Sequence, residues 1–173
     1  GQVRQLYNNN ANRNLDLRFE DPPGSTRYLD SARPNSYALC TGTNCPISNV
    51  DGRAGRALSF SGGQSLELAG SKAQALLNQF SVAAWGKGSG EIMQRTNPTQ
   101  ASGFFRFSTT GLTVSYVTTQ GAVVTRTLSL NSGQIPANQW THIAATFSAL
   151  SGAGYSGVNS LTAANFQQMH LYV

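Results

Sequence analysis

A chain of 173 residues is long enough to bury a sizeable core as one domain, and with only 11% charged residues its polar surface falls mainly to Gly, Ser, Thr and Asn. The net charge of +5 comes from 12 basic and 7 acidic residues, and ten of the basic ones are arginines scattered singly from Arg4 to Arg126. Nucleic-acid binding would want a clustered basic stripe with interleaved aromatics, which is absent, and no run is long and apolar enough to insert in a membrane as a helix.

The first 14 residues, Gly1–Asn14, are polar and carry Asn8-Asn9-Asn10 with two further asparagines, so they read as a linker or N-terminal arm. Leu15-Asp16-Leu17-Arg18-Phe19-Glu20 alternates, which predicts a strand with Leu15, Leu17 and Phe19 inward. Asp21-Pro22-Pro23-Gly24 ends it, because proline lacks a ladder donor and glycine permits a turn. From Ser25 to Asp51 the chain reads as a long pinned loop with one short strand around Tyr37–Leu39.

Within that loop Cys40 and Cys45 stand five residues apart. A zinc site would need further ligands, and His142 and His170 are the only histidines. A local disulfide is expected, with free thiols as the alternative, and it points to an oxidising, extracytoplasmic location.

Ala57–Phe60 and Leu66–Leu68 predict a hairpin turning at Ser61-Gly62-Gly63. Lys72–Asn78 is the one segment that suits a short helix. Phe80–Lys87 then predicts a strand with Phe80, Val82 and Ala84 on one face and Ser81, Ala83 and Trp85 on the other. Glu91–Arg95, Gly103–Ser108, Leu112–Val117 and Ala122–Leu130 follow as strands between turn signals. Gln139–Phe147 repeats the earlier pattern: Ile143, Ala145 and Phe147 share one face, while Trp140, His142 and Ala144 share the other. The only two tryptophans are thus expected on one side of one sheet. Ser148–Asn165 is rich in Gly, Ser and Ala without period and reads as an insertion, and Met169–Val173 begins another strand. Many short strands at regular spacing predict an all-β, antiparallel two-sheet sandwich.

The motifs, taken in order, carry a resemblance. Gly52–Gly62 resembles the "G-x-x-G-x-A-L-x-F-x-G" segment of laminin-G-like, concanavalin A-like jelly-roll domains. Phe80–Lys87 is similar to their "F-T-I-S-A-W-V-K" strand, Gln139–Phe147 to "W-x-H-V-A-x-T-F", and Leu171-Tyr172-Val173 to the start of "L-Y-V-D-G". Asp30 matches the aspartate that follows the family's first strand. The resemblance covers residues 15–173 and implies one jelly-roll domain there, incomplete at its C-terminal end, because the family's closing strands lie beyond the match. Either a longer protein or a neighbouring chain would then supply the missing strand.

The chemistry to be expected is recognition. Glucanases on such a fold place carboxylates in a pattern like Glu-x-Asp-x-x-Glu, and Glu20, Glu67 and Glu91 have no such neighbours, so no catalytic residue is assigned and the chain is expected not to be an enzyme. The resemblance makes calcium the candidate cofactor, with Glu20 and Asp30 as ligands; the alternative is that these acids cap turns. Trp85, Trp140 and His142 are the candidate ligand-binding residues, with Tyr116, Tyr155 and Tyr172 further candidates. The alternative for the two indoles is burial beneath loops. Two functions compete: a structural or adhesive module at the cell surface, assembling with copies of itself or adjacent domains, filaments included, through open strand edges; or an extracellular carbohydrate-binding module using a Trp-bearing sheet face.

Overall fold

A computed structural model describes residues 15–33, 35–69, 79–95, 104–117, 123–131, 134–148 and 168–173. The expected arm at 1–14, the short helix at Lys72–Asn78 and the insertion after Ser148 lie outside the described residues. The fold is all-β, and every strand pair is antiparallel. The chain divides into two compact units, Gly1–Ala75 and Leu76–Val173.

In the first unit, β1 (Arg27–Leu29), β2 (Tyr37–Leu39) and β5 (Glu67–Ala69) form a three-stranded sheet in the order β1-β2-β5. Strands β3 (Ile47–Asp51) and β4 (Arg56–Ser59) form a separate hairpin. The core is small: Tyr28, Ala38 and Cys40 are buried, with Leu17, Phe19, Cys45, Leu58, Leu66 and Leu68 packed against them. Cys40 and Cys45 form the expected disulfide across the 3-10 turn Gly42–Asn44.

Three sequence expectations for this unit are corrected. Leu15–Glu20 is not a strand; only Leu17 bridges, to Asp30, and Phe19 takes a left-handed backbone at φ 58°. That kink brings the Phe19 ring edge-on to Tyr28 at 5.9 Å, so packing outweighs the alternation. The Ser25–Asp51 segment holds three strands instead of one. Strand β1 is only three residues long, and β3 is broken by a register shift between Ile47 and Val50, where Asn49 has φ 67°. Finally, the turn at Ser61–Gln64 exists, closed by Gln64 N–H donating to Ser61 O at 3.0 Å, but its arms do not pair. Ser65 N–H donates to Asn44 O and draws the chain away, so β4 pairs with β3 and β5 with β2.

The second unit is a two-layer sandwich. One sheet runs β10-β9-β8-β7, from β7 (Glu91–Arg95), β8 (Phe104–Ser108), β9 (Gly111–Val117) and β10 (Val123–Ser129). The other runs β12-β11-β6, from β6 (Gln79–Gly86), β11 (Thr141–Ser148) and β12 (Gln168–Tyr172). Their inner faces share one core: Phe105 and Phe107 from β8, Leu112 and Val114 from β9, and Ile143, Ala145 and Phe147 from β11. Phe80, Val82 and Ala84 of β6 and Met169 and Leu171 of β12 pack against it. The ring of Phe80 lies 5.3 Å from Phe147 on the neighbouring strand and 5.3 Å from Phe105 on the facing sheet. The period-2 reading of β6 and β11 therefore holds residue by residue. Burying each such phenylalanine stabilises the fold by roughly 1.5–3 kcal/mol.

The same alternation fixes what faces outward. On the four-stranded sheet the outer side carries the hydroxyl pairs Thr113–Thr127 at 3.0 Å and Ser115–Thr125 at 2.6 Å and the ion pair Arg106–Glu91. Strands β7, β8 and β10 hold Glu91, Arg95, Arg106 and Arg126, whereas β6, β11 and β12 contain no Asp, Glu, Lys or Arg. The two layers thus differ in charge.

Candidate functional site

The outward face of β6, β11 and β12 is built in rows by the strand register. His142 lies directly opposite Trp85, and their ring centroids are 5.2 Å apart at 57°. In the next row Ala144 of β11 stands between Ala83 of β6 and Tyr172 of β12. In the third, Thr146 stands between Ser81 and His170. The rings of His170 and Tyr172 are 6.3 Å apart and inclined by only 30°. Trp85 is 52% exposed and Tyr172 54%, so these rings project from the sheet, while the residues before them, Ala84 and Leu171, pack against the core.

The alternative of a Trp85 buried beneath loops is therefore overturned. Trp140 behaves differently. Strand β11 begins at Thr141, so Trp140 stands just before the ladder, half-buried, and is not one of its paired residues. The expected pairing of two tryptophans on one sheet face becomes a pairing of Trp85 with His142. Sequence reasoning did not single out His170, although it shares with Tyr172 the parity opposite to Met169 and Leu171. Tyr116 lies within β9 and Tyr155 outside the described residues.

The two candidate calcium ligands take backbone donors. Glu20 Oε1 accepts Arg56 N–H at 3.0 Å. Asp30, 4% exposed, accepts Asp16 N–H at 2.8 Å and Ala32 N–H at 2.9 Å through Oδ1, fixing the turn that follows β1. Asp30 Oδ2 is buried and has no hydrogen-bond partner. Among the described residues no three His, Cys, Asp or Glu side chains converge on a metal-sized site. A hard cation seeking six to eight oxygens fits this donor set poorly. The same carboxylates suit the turn-capping alternative.

Tyr28 is fully buried in the small core of the first unit. Burial pushes its phenol above the ordinary value of 10.0, Asp21 adds to the rise, and a hydrogen bond with Ser48 opposes it. Its hydroxyl donates to Ser25 O at 2.7 Å. This is a structural residue of the first unit.

The fold and this face define an antiparallel β-sandwich with a platform of aromatic and imidazole rings, free of Asp, Glu, Lys and Arg, on one layer. Comparison of the chain with protein-family models, with curated proteins and with solved structures finds no match. Among the described residues no helix is long and apolar enough to cross a membrane.

Proposed function

We propose that this chain is a non-catalytic extracellular module that recognises carbohydrate through the outward face of β6, β11 and β12. The observation that carries the reading is the half-exposed Trp85, its ring inclined beside that of His142, on strands without Asp, Glu, Lys or Arg. An indole face supplies flat apolar area for the C–H side of a sugar ring, and the neighbouring imidazole and hydroxyl groups supply hydrogen bonds at its rim. The sequence resemblance to laminin-G-like jelly rolls supports the same class, and the Cys40–Cys45 disulfide is compatible with an oxidising compartment. Binding to an array of neutral and acidic glycans tests it. Trp85→Ala removes the binding if the reading is right, and a wild-type protein that binds no glycan sinks it.

A second reading, assembly through a strand edge, has its own observation. Strand β6 is eight residues long, stands at the end of its sheet among the described residues, and contains neither proline nor a charged residue to blunt pairing. Copies of this chain or an adjacent domain are the partners this edge suits. Sedimentation across a wide concentration range tests it; a monomer throughout removes self-assembly.

A further inference from the structure

We propose that the ligand is a neutral, linear glycan longer than a disaccharide, lying diagonally from the Trp85–His142 pair to the His170–Tyr172 pair. This inference rests on the carbohydrate reading above and specifies the ligand. The register places Trp85 and Tyr172 two strands and one row apart, with β11 between them. Strand spacing and rise put their Cα atoms about 12 Å apart, which one sugar ring does not bridge. Between the two ring pairs the floor is Ala83 beside Ala144, the smallest side chains that a strand offers short of glycine. A chain of sugars can therefore cross the middle without meeting a bulky side chain, while each end finds an aromatic face.

The charge pattern selects the ligand's sign. With a net +5 and ten arginines, this protein has ample means to attract an acidic polymer, yet no Arg or Lys occurs in β6, β11 or β12. No carboxylate occurs there either, so nothing in the layer recruits a cationic ligand. The outward side chains of known placement are aromatic, imidazole, hydroxyl or methyl groups, with no branched aliphatic among them. Hydroxyl-rich, uncharged sugar rings match these groups, whose flat rings take C–H faces and whose hydroxyl and imidazole groups exchange hydrogen bonds.

The test is calorimetric titration of the whole chain with cello-, manno- and xylo-oligosaccharides from disaccharide to hexasaccharide, beside oligogalacturonates of equal length. At least one neutral series is expected to gain roughly tenfold in affinity between its shortest and longer members, with the acidic series weaker. Tyr172→Ala should erase that gain, Tyr172→Phe should keep it, and Trp85→Ala should weaken every length. Thermal melts confirm that each variant is folded. Length-independent binding that Tyr172→Ala leaves untouched would overturn the extended site while leaving a Trp85 sugar site standing. Preference for the acidic series would overturn the neutral assignment. Absence of binding to every sugar would overturn both this inference and the reading beneath it.

Discussion

The carboxylate of Glu20 rests against the backbone of Gly55 and Arg56, accepting the Arg56 N–H at 3.0 Å and occupying the space that a Cβ on Gly55 would need. Gly55 also has φ +72°, where L side chains are strained. Gly55→Ala therefore combines backbone strain with a clash and is expected to cost about 1–3 kcal/mol in urea unfolding. In Glu20→Ala/Gly55→Ala the clash disappears and the strain remains. The double variant should be more stable than the sum of the singles predicts, and strict additivity would show that the two do not touch.

Phe107 is fully buried between the layers of the second unit, and Trp85 stands half out of the same sandwich. Phe107→Ala should lower stability by roughly 3–5 kcal/mol. Trp85→Ala should change it by about 0.5 kcal/mol or less. Denaturant midpoints of the two variants check the contrast, and a large loss at Trp85 would place its ring in the core.

Tyr28 gives the first unit an alkaline sensitivity. Its folded-state pKa is raised, so the protonated phenol is favoured by folding. The stability it contributes is fully present below the ordinary pKa of 10.0 and is lost as pH rises through the folded-state value. Stability measured from pH 8 upward should fall in the wild type and fall less in Tyr28→Phe. The variant itself should cost about 1 kcal/mol at neutral pH for the lost bond to Ser25 O.

The Cys40–Cys45 bridge closes a short loop, and Cys40 belongs to the small core around Tyr28. Replacing both cysteines by alanine should reduce stability by about 2 kcal/mol, the amount set by closing so short a loop. Reductant should lower the wild-type melting temperature and leave that of the double variant unchanged. Equal effects on both proteins would show that the bridge contributes nothing.

The second unit was legible because its strands bury one face and expose the other, so the order of Phe80, Val82 and Ala84 or of Ile143, Ala145 and Phe147 states their burial directly. The first unit was not, for a physical reason. Its strands β1, β2 and β5 are three residues each and pair across long stretches of chain, leaving too few positions for a period to register. Local turn chemistry at Ser61–Gln64 suggested a hairpin, and long-range pairing overrode it. At the candidate site, the faces of Trp85 and His142 could be read from parity alone, whereas their direct opposition depends on register, and a slip of two residues would keep every face while separating the two rings. His170 drew no assignment because no motif surrounds it, although its ring partner Tyr172 lies two residues on along the same strand.

The unequal distribution of charge between the layers has a practical consequence for handling the protein. At 1 M sodium chloride the screening length shrinks to about 3 Å, and adhesion owed to the scattered arginines fades. Contacts made by rings and hydroxyls on β6, β11 and β12 do not depend on ionic strength in that way. On the proposed carbohydrate reading, a concentrated-brine wash should therefore strip the protein from heparin or DNA columns and leave it held on a neutral polysaccharide, and loss from both matrices would count against that reading.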